Sequence, residues 1–167
     1  MKNEQKKITY LVHAAMIAAV YVVLTYVFAP FSFGEIQVRI SEALTILPVF
    51  TPAAVPGLFV GCIIGNILGG SILPDIVFGS LATLIGACGT YLLRNKTRYL
   101  APVPPIVANA LIVPFVLYYG YGVALPIPFM MATVGLGEVL SCGVLGLIVY
   151  QVLAKYRHVI FRPAVNQ

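Results

Sequence analysis

The sequence predicts an all-α integral membrane protein, a single domain of six transmembrane helices with both termini cytoplasmic. Three observations carry that expectation. Hydrophobic residues make up 60% of the 167-residue chain and charged residues 9%, against roughly a quarter charged in an ordinary soluble domain. Its apolar stretches approach or exceed the ~20 residues that a helix needs to cross a hydrocarbon core of about 30 Å. Basic residues, which accumulate in cytoplasmic loops, gather in three clusters: Lys2, Lys6 and Lys7, then Arg94, Lys96 and Arg98, then Lys155, Arg157 and Arg162. An even number of crossings must separate each cluster from the next, and only Arg39 then falls on the opposite side.

The first apolar stretch, about 8–30, follows "MKNEQKK". It is too long for the apolar core of a signal peptide and shows no small-residue cleavage site, so it reads as a retained span. Between it and the second basic cluster the chain accommodates three more spans, about 40–55, 56–70 and 74–93. The second and third are short and carry Pro48, Pro52 and Pro56, which predicts short, broken or tilted helices, buried by protein or solvated by a cavity. Gly57, Gly61, Gly65 and Gly69 recur every four residues and form a smooth stripe where another backbone can approach closely. The remaining spans are about 99–119 and 126–154. Cys62, Cys88 and Cys142 stand singly in apolar stretches with no metal-like spacing, and read as small buried apolar residues.

Polar residues concentrate on the extracellular side of this arrangement. The segment "FSFGEIQVRISE", residues 31–42, places Glu35, Gln37, Arg39, Ser41 and Glu42 between the first two spans. Extended or helical, it puts Glu35 and Arg39 on a common face, as suits a loop capping something beneath it. Asn66 and Asn109 sit in the outer half of their spans, as interhelical bonding groups or as ligand contacts. Asp75 opens the fourth span, where it suits a helix N-terminus or a ligand. Tyr118, Tyr119 and Tyr121 read as an interfacial belt, or as rings stacking on a planar ligand at a cavity mouth. Glu138 lies near mid-membrane, where a carboxylate costs a few kcal/mol and usually faces the bundle interior; a structural hydrogen bond between helices is the plainer reading. His13 lies toward the cytoplasm and reads as packing. Together these groups describe an outward-opening pocket for a polar small molecule, cationic or rich in hydrogen-bond donors.

Several chemistries are excluded. There is no G-x-x-x-x-G-K-[ST] phosphate loop, no Ser/His or Cys/His arrangement and no metal-ligand cluster, so no cofactor or metal is expected on this chain and no nucleic-acid partner. Binding is better supported than catalysis.

Six short-looped helices with a capping loop after the first resemble the substrate-binding S-components of energy-coupling factor (ECF) importers. "HAAMIAAV" pairs Ala14 with Ala18 and Ala15 with Ala19, similar to the small-residue pattern with which S-components dock on a shared transmembrane T-component. "GEIQVRISEALTILP", residues 34–48, resembles the QueT family, assigned to uptake of queuosine precursors. The resemblance implies a capture subunit in a bacterial cell membrane, with ATP used by two cytoplasmic ATPases joined to the T-component. It also implies a ligand such as queuine or 7-aminomethyl-7-deazaguanine, whose adjacent N–H and NH2 donors suit a carboxylate and whose carbonyl suits an amide. Glu138 is then expected on the base edge or the amine, Glu35 or Glu42 on the amine, and Asn66, Asn109, Gln37, Asp75 and Tyr118 around the ligand. Arg39 would tie the lid down by pairing with a carboxylate. The alternatives are an S-component for another vitamin or cofactor precursor, and a membrane protein that senses or modifies lipid.

Overall fold

The computed structural model describes residues 2–28 and 39–160, so Glu35 and Gln37 lie outside the described residues. No strand occurs among those residues. Helix α1 (Lys2–Val27) is followed by a 3-10 helix (Ile40–Val49), α2 (Ala54–Leu68), α3 (Leu73–Leu93) and α4 (Val103–Tyr119). The last rod comprises α5 (Ile127–Glu138), a π-helical stretch (Val139–Leu145) and α6 (Gly146–Ile160). Four helical stretches are long and apolar enough to cross a membrane: Asn3–Val27, Leu73–Leu93, Arg98–Tyr119 and Ile127–Tyr156. This is a membrane protein, and its many exposed Leu, Ile, Val and Phe side chains are the surface that lipid covers.

The 3-10 helix and α2 are the short members. Ten residues of 3-10 helix rise about 20 Å and fifteen of α-helix about 22 Å, less than the hydrocarbon thickness. The break between them falls at Thr51 to Ala53, and Pro56 is absorbed into the first turn of α2, where its missing N–H costs nothing. Far from lying at the periphery, the 3-10 helix runs through the middle of the bundle. It contacts α1, α2, α3, the π-helical stretch and α6, and Ser41 to Pro48 are all buried. Its apolar face, Leu44 and Leu47, joins Tyr21, Ala54, Leu58, Cys62 and Ala87 in the core.

The glycine stripe packs against α1. A Cβ on Gly57 would stand 2.6 Å from the Ala14 carbonyl oxygen, one on Gly61 would stand 2.9 Å from Tyr21 Cβ and 3.1 Å from Ala18 Cα, and one on Gly65 would meet Thr25. Gly69 instead caps the end of α2. This close approach turns Ala18 inward and leaves Ala15 and Ala19 exposed, so the two alanine pairs of α1 face different surroundings. A second close contact sets Pro105 of α4 against Gly86 of α3.

Replacing Gly61 with Val should lower stability by about 1–3 kcal/mol, because the added carbons have no room between the helices. Gly135→Ala, whose Cβ would meet only Ala110 at 3.7 Å, should change it by less than about 1 kcal/mol. Thermal unfolding in detergent checks the contrast.

Candidate functional site

A membrane protein buries polar groups only where they serve one another or a ligand. Here they line up from one end of the bundle to its centre, beside the 3-10 helix. At the end where α1 and α2 finish and α3 begins, Arg39 is 3% exposed. Its Nη2 lies 3.5 Å from Asp75 Oδ2 in the first turn of α3. The Tyr121 hydroxyl, from the loop after α4, donates to the same oxygen at 3.0 Å. Partial burial pushes the Tyr121 pKa further above its ordinary value, which already lies well above neutral pH, so the hydroxyl keeps its proton. Asn66 Nδ2 donates to the Asp75 backbone carbonyl at 3.3 Å. Gly79 stands one turn beyond Asp75, where a Cβ would crowd Asp75 Oδ1 at 2.9 Å; the glycine makes room for the carboxylate.

At the centre, Glu42 is fully buried. Tyr21 donates its hydroxyl proton to Glu42 Oε1, and the Thr83 hydroxyl stands 3.0 Å from the same oxygen. Thr45 donates to the Glu42 backbone carbonyl at 2.6 Å. Facing Glu42 from the last rod is Glu138, 2% exposed, with the Cys142 sulfur 3.1 Å from its Oε2. Asn109 of α4 lies beside Glu138. The Arg39 guanidinium acts electrostatically on both glutamates, so the two ends form one electrostatic system.

Among the described residues, two buried acceptor atoms along this path, Glu42 Oε2 and Asp75 Oδ1, have no hydrogen-bond partner, and Asn109 Nδ2 beside Glu138 makes no well-formed hydrogen bond. Leaving such a group unpaired costs about 1–3 kcal/mol, and native cores hold few of them. Acceptors and an amide donor gathered around two carboxylates suit a ligand that offers several N–H donors and at least one acceptor. One carboxylate oxygen each from Glu42 and Glu138 and the Cys142 sulfur also lie within 4.8 Å of one another.

Of the residues singled out in the sequence, Arg39, Glu42, Asn66, Asp75, Asn109 and Glu138 are all buried along this path. Glu42 does so from the central helix rather than from a capping loop, since the helix begins at Ile40. Tyr118 is 43% exposed and packs edge-on against Tyr119, with ring centroids 5.0 Å apart; Tyr121 is the tyrosine that reaches the path. The cysteines depart from a uniform apolar role. Cys88 is exposed, while Cys62 and Cys142 are buried among polar partners, including Thr83 and Glu138. Tyr21, Thr83 and Cys142 had no reading as site residues; the i,i+4 spacing of Glu138 and Cys142 is the signal that could have drawn the last one in.

A family model described as QueT transporter matches residues 11–155. "Queuosine precursor transporter QueT" of Lactococcus lactis subsp. cremoris (strain MG1363) is 36% identical over 84 residues, covering 48% of this chain and 49% of that protein. The match thus spans about half the length of that curated relative. No solved structure matches the chain.

Arg39→Ala leaves Asp75 buried without its counter-charge and should cost about 3–5 kcal/mol of stability. The double variant Arg39→Ala, Asp75→Asn should recover part of that loss. Chemical or thermal unfolding of the three variants in detergent measures it.

Proposed function

The chain belongs to the QueT transporter family, and we propose that it is the substrate-capture S-component of an ECF-type importer for a queuosine precursor. The observation that carries this reading is the buried path between Asp75 and Glu138, with unpaired acceptors on Glu42 and Asp75 and an amide donor on Asn109 that makes no well-formed hydrogen bond. In queuine or 7-aminomethyl-7-deazaguanine, adjacent N–H and NH2 donors suit the two oxygens of Glu138. The ring carbonyl suits Asn109 Nδ2, and the cationic amine suits Glu42 Oε2. Arg39, held against Asp75, which also accepts from Tyr121, fastens the start of the central helix over this path.

Six helical passes, with basic residues before α1, between α3 and α4, and after Ala154, support six crossings with both termini cytoplasmic. The polar path then opens from the outer side of a bacterial cell membrane. The chain acts as a transport subunit; a T-component and two ATPases supply the energy, with docking on the T-component through the exposed Ala15 and Ala19 face of α1. Ala14 and Ala18 contribute by keeping α1 tight against α2.

Equilibrium titration of the purified subunit with 7-aminomethyl-7-deazaguanine and queuine, with guanine and riboflavin as controls, tests the reading. Saturable binding of a deazaguanine with both controls rejected supports it. No binding by a folded sample, or equal binding of riboflavin, overturns it. Glu138→Gln should weaken deazaguanine binding by about 10–100-fold, the loss of one charge-assisted pairing.

A further inference from the structure

We propose that Cys142 is a positioning residue of the ligand site, its thiol proton directed to Glu138 so that the carboxylate presents a fixed edge to the ligand. This rests on the buried path being the site of capture.

The geometry leaves the thiol proton one favoured acceptor. Cys142 Sγ has three oxygens in reach, Glu138 Oε2 at 3.1 Å, Thr45 Oγ1 at 3.3 Å and the Glu42 backbone carbonyl at 3.4 Å. The carbonyl also accepts from Thr45 Oγ1 at 2.6 Å, which leaves it a shared and more distant acceptor than the carboxylate oxygen. A hydroxyl has a single proton, and Thr45 therefore spends it on the Glu42 carbonyl. The Cys142 proton goes to the carboxylate, the nearer acceptor and, when ionised, the stronger one. Glu138 and Cys142 are four residues apart, and the π-helical stretch begins between them at Val139. A local widening of this kind re-aims side chains and often marks functional positions.

Two further groups point to a ligand at this carboxylate. Asn109 Nδ2, on a residue 3% exposed, makes no well-formed hydrogen bond among the described residues although it acts on Glu138, and the fully buried Glu42 Oε2 has no partner there. A carboxylate that accepts two adjacent donors must lie in the plane of the base, and a free carboxylate rotates about its terminal bond. The thiol bond removes that freedom at Oε2. Cys142 accordingly governs how well the site distinguishes a base with both donors from one lacking the 2-amino group, beyond any contribution it makes to packing.

The test compares wild type, Cys142→Ala and Cys142→Ser by equilibrium titration with 7-aminomethyl-7-deazaguanine and with its analogue lacking the 2-amino group. Thermal unfolding runs alongside as a check on folding. Cys142→Ala should bind the full ligand about 5–10-fold more weakly, the worth of one hydrogen bond, and its preference over the analogue should fall by at least about threefold. Cys142→Ser keeps a donor and should restore both. If Cys142→Ala weakens both ligands equally, or only lowers the unfolding temperature, the residue is structural and the positioning role is overturned. If folded wild type binds neither ligand, the capture reading falls and takes this inference with it.

Discussion

The burial of Glu42 is the constraint on which the rest of this structure turns. A carboxylate with no exposed surface, in a bundle whose outside is hydrocarbon, has to find every partner inside the chain or in a ligand. Tyr21 from α1 and Thr83 from α3 meet one of its oxygens, and Thr45 closes its backbone carbonyl. The helix carrying it is therefore surrounded on all sides, and α1 and α2 must approach closely enough for Tyr21 to reach inward. Gly57 and Gly61 permit that approach, since a side chain at either position would push α1 away. Small residues at the periphery and a charge at the centre are two ends of one packing problem.

The same constraint explains the unusual form of the central segment. A 3-10 helix leaves poorer backbone hydrogen bonds than an α-helix, yet it covers more length per residue. Ten residues of it span about as far as fifteen of the α-helix that follows. Being encased by protein rather than lipid, it can carry Pro48 and a non-standard geometry without exposing backbone groups to hydrocarbon. Arg39 at its start is anchored by Asp75, whose carboxylate also sits in the first turn of α3 where the helix dipole favours a negative charge. One end of the segment is thus fixed by charge and the other by packing of Leu44 and Leu47.

Much of this was legible beforehand, for identifiable reasons. Glu138 stood out because a lone carboxylate deep in an apolar stretch has few ways to be tolerated. The glycine stripe stood out because its period matches a helix face. Arg39, Asp75, Asn66 and Asn109 stood out because polar residues are scarce here and each must be accounted for. In the sequence Glu42 reads as part of a loop, because charge density resembles solvent exposure; only the third dimension shows five neighbouring elements closing around the helix that carries it. Tyr21, Thr83 and Cys142 stayed hidden because each is common in membrane helices as an apolar or weakly polar filler. What gives them meaning is which oxygen they face, and no linear spacing contains that.

The unpaired groups that remain are informative because of where they fall. Glu42 Oε1 is doubly served while Oε2 is left open, and Asn109 Nδ2 makes no well-formed hydrogen bond beside Glu138. Selection for stability alone would remove such groups, since replacing them with apolar residues of similar shape is close to neutral or stabilising. On the proposed reading, their retention has a price in folding that a ligand with matching donors and acceptors would repay. A ligand lacking one of those groups would leave a buried partner unpaired, which is how a site rejects near-isosteres far more strongly than a hydrophobic pocket can. On the proposed reading, the cost of burying these groups and the selectivity of the path for its ligand have one physical origin.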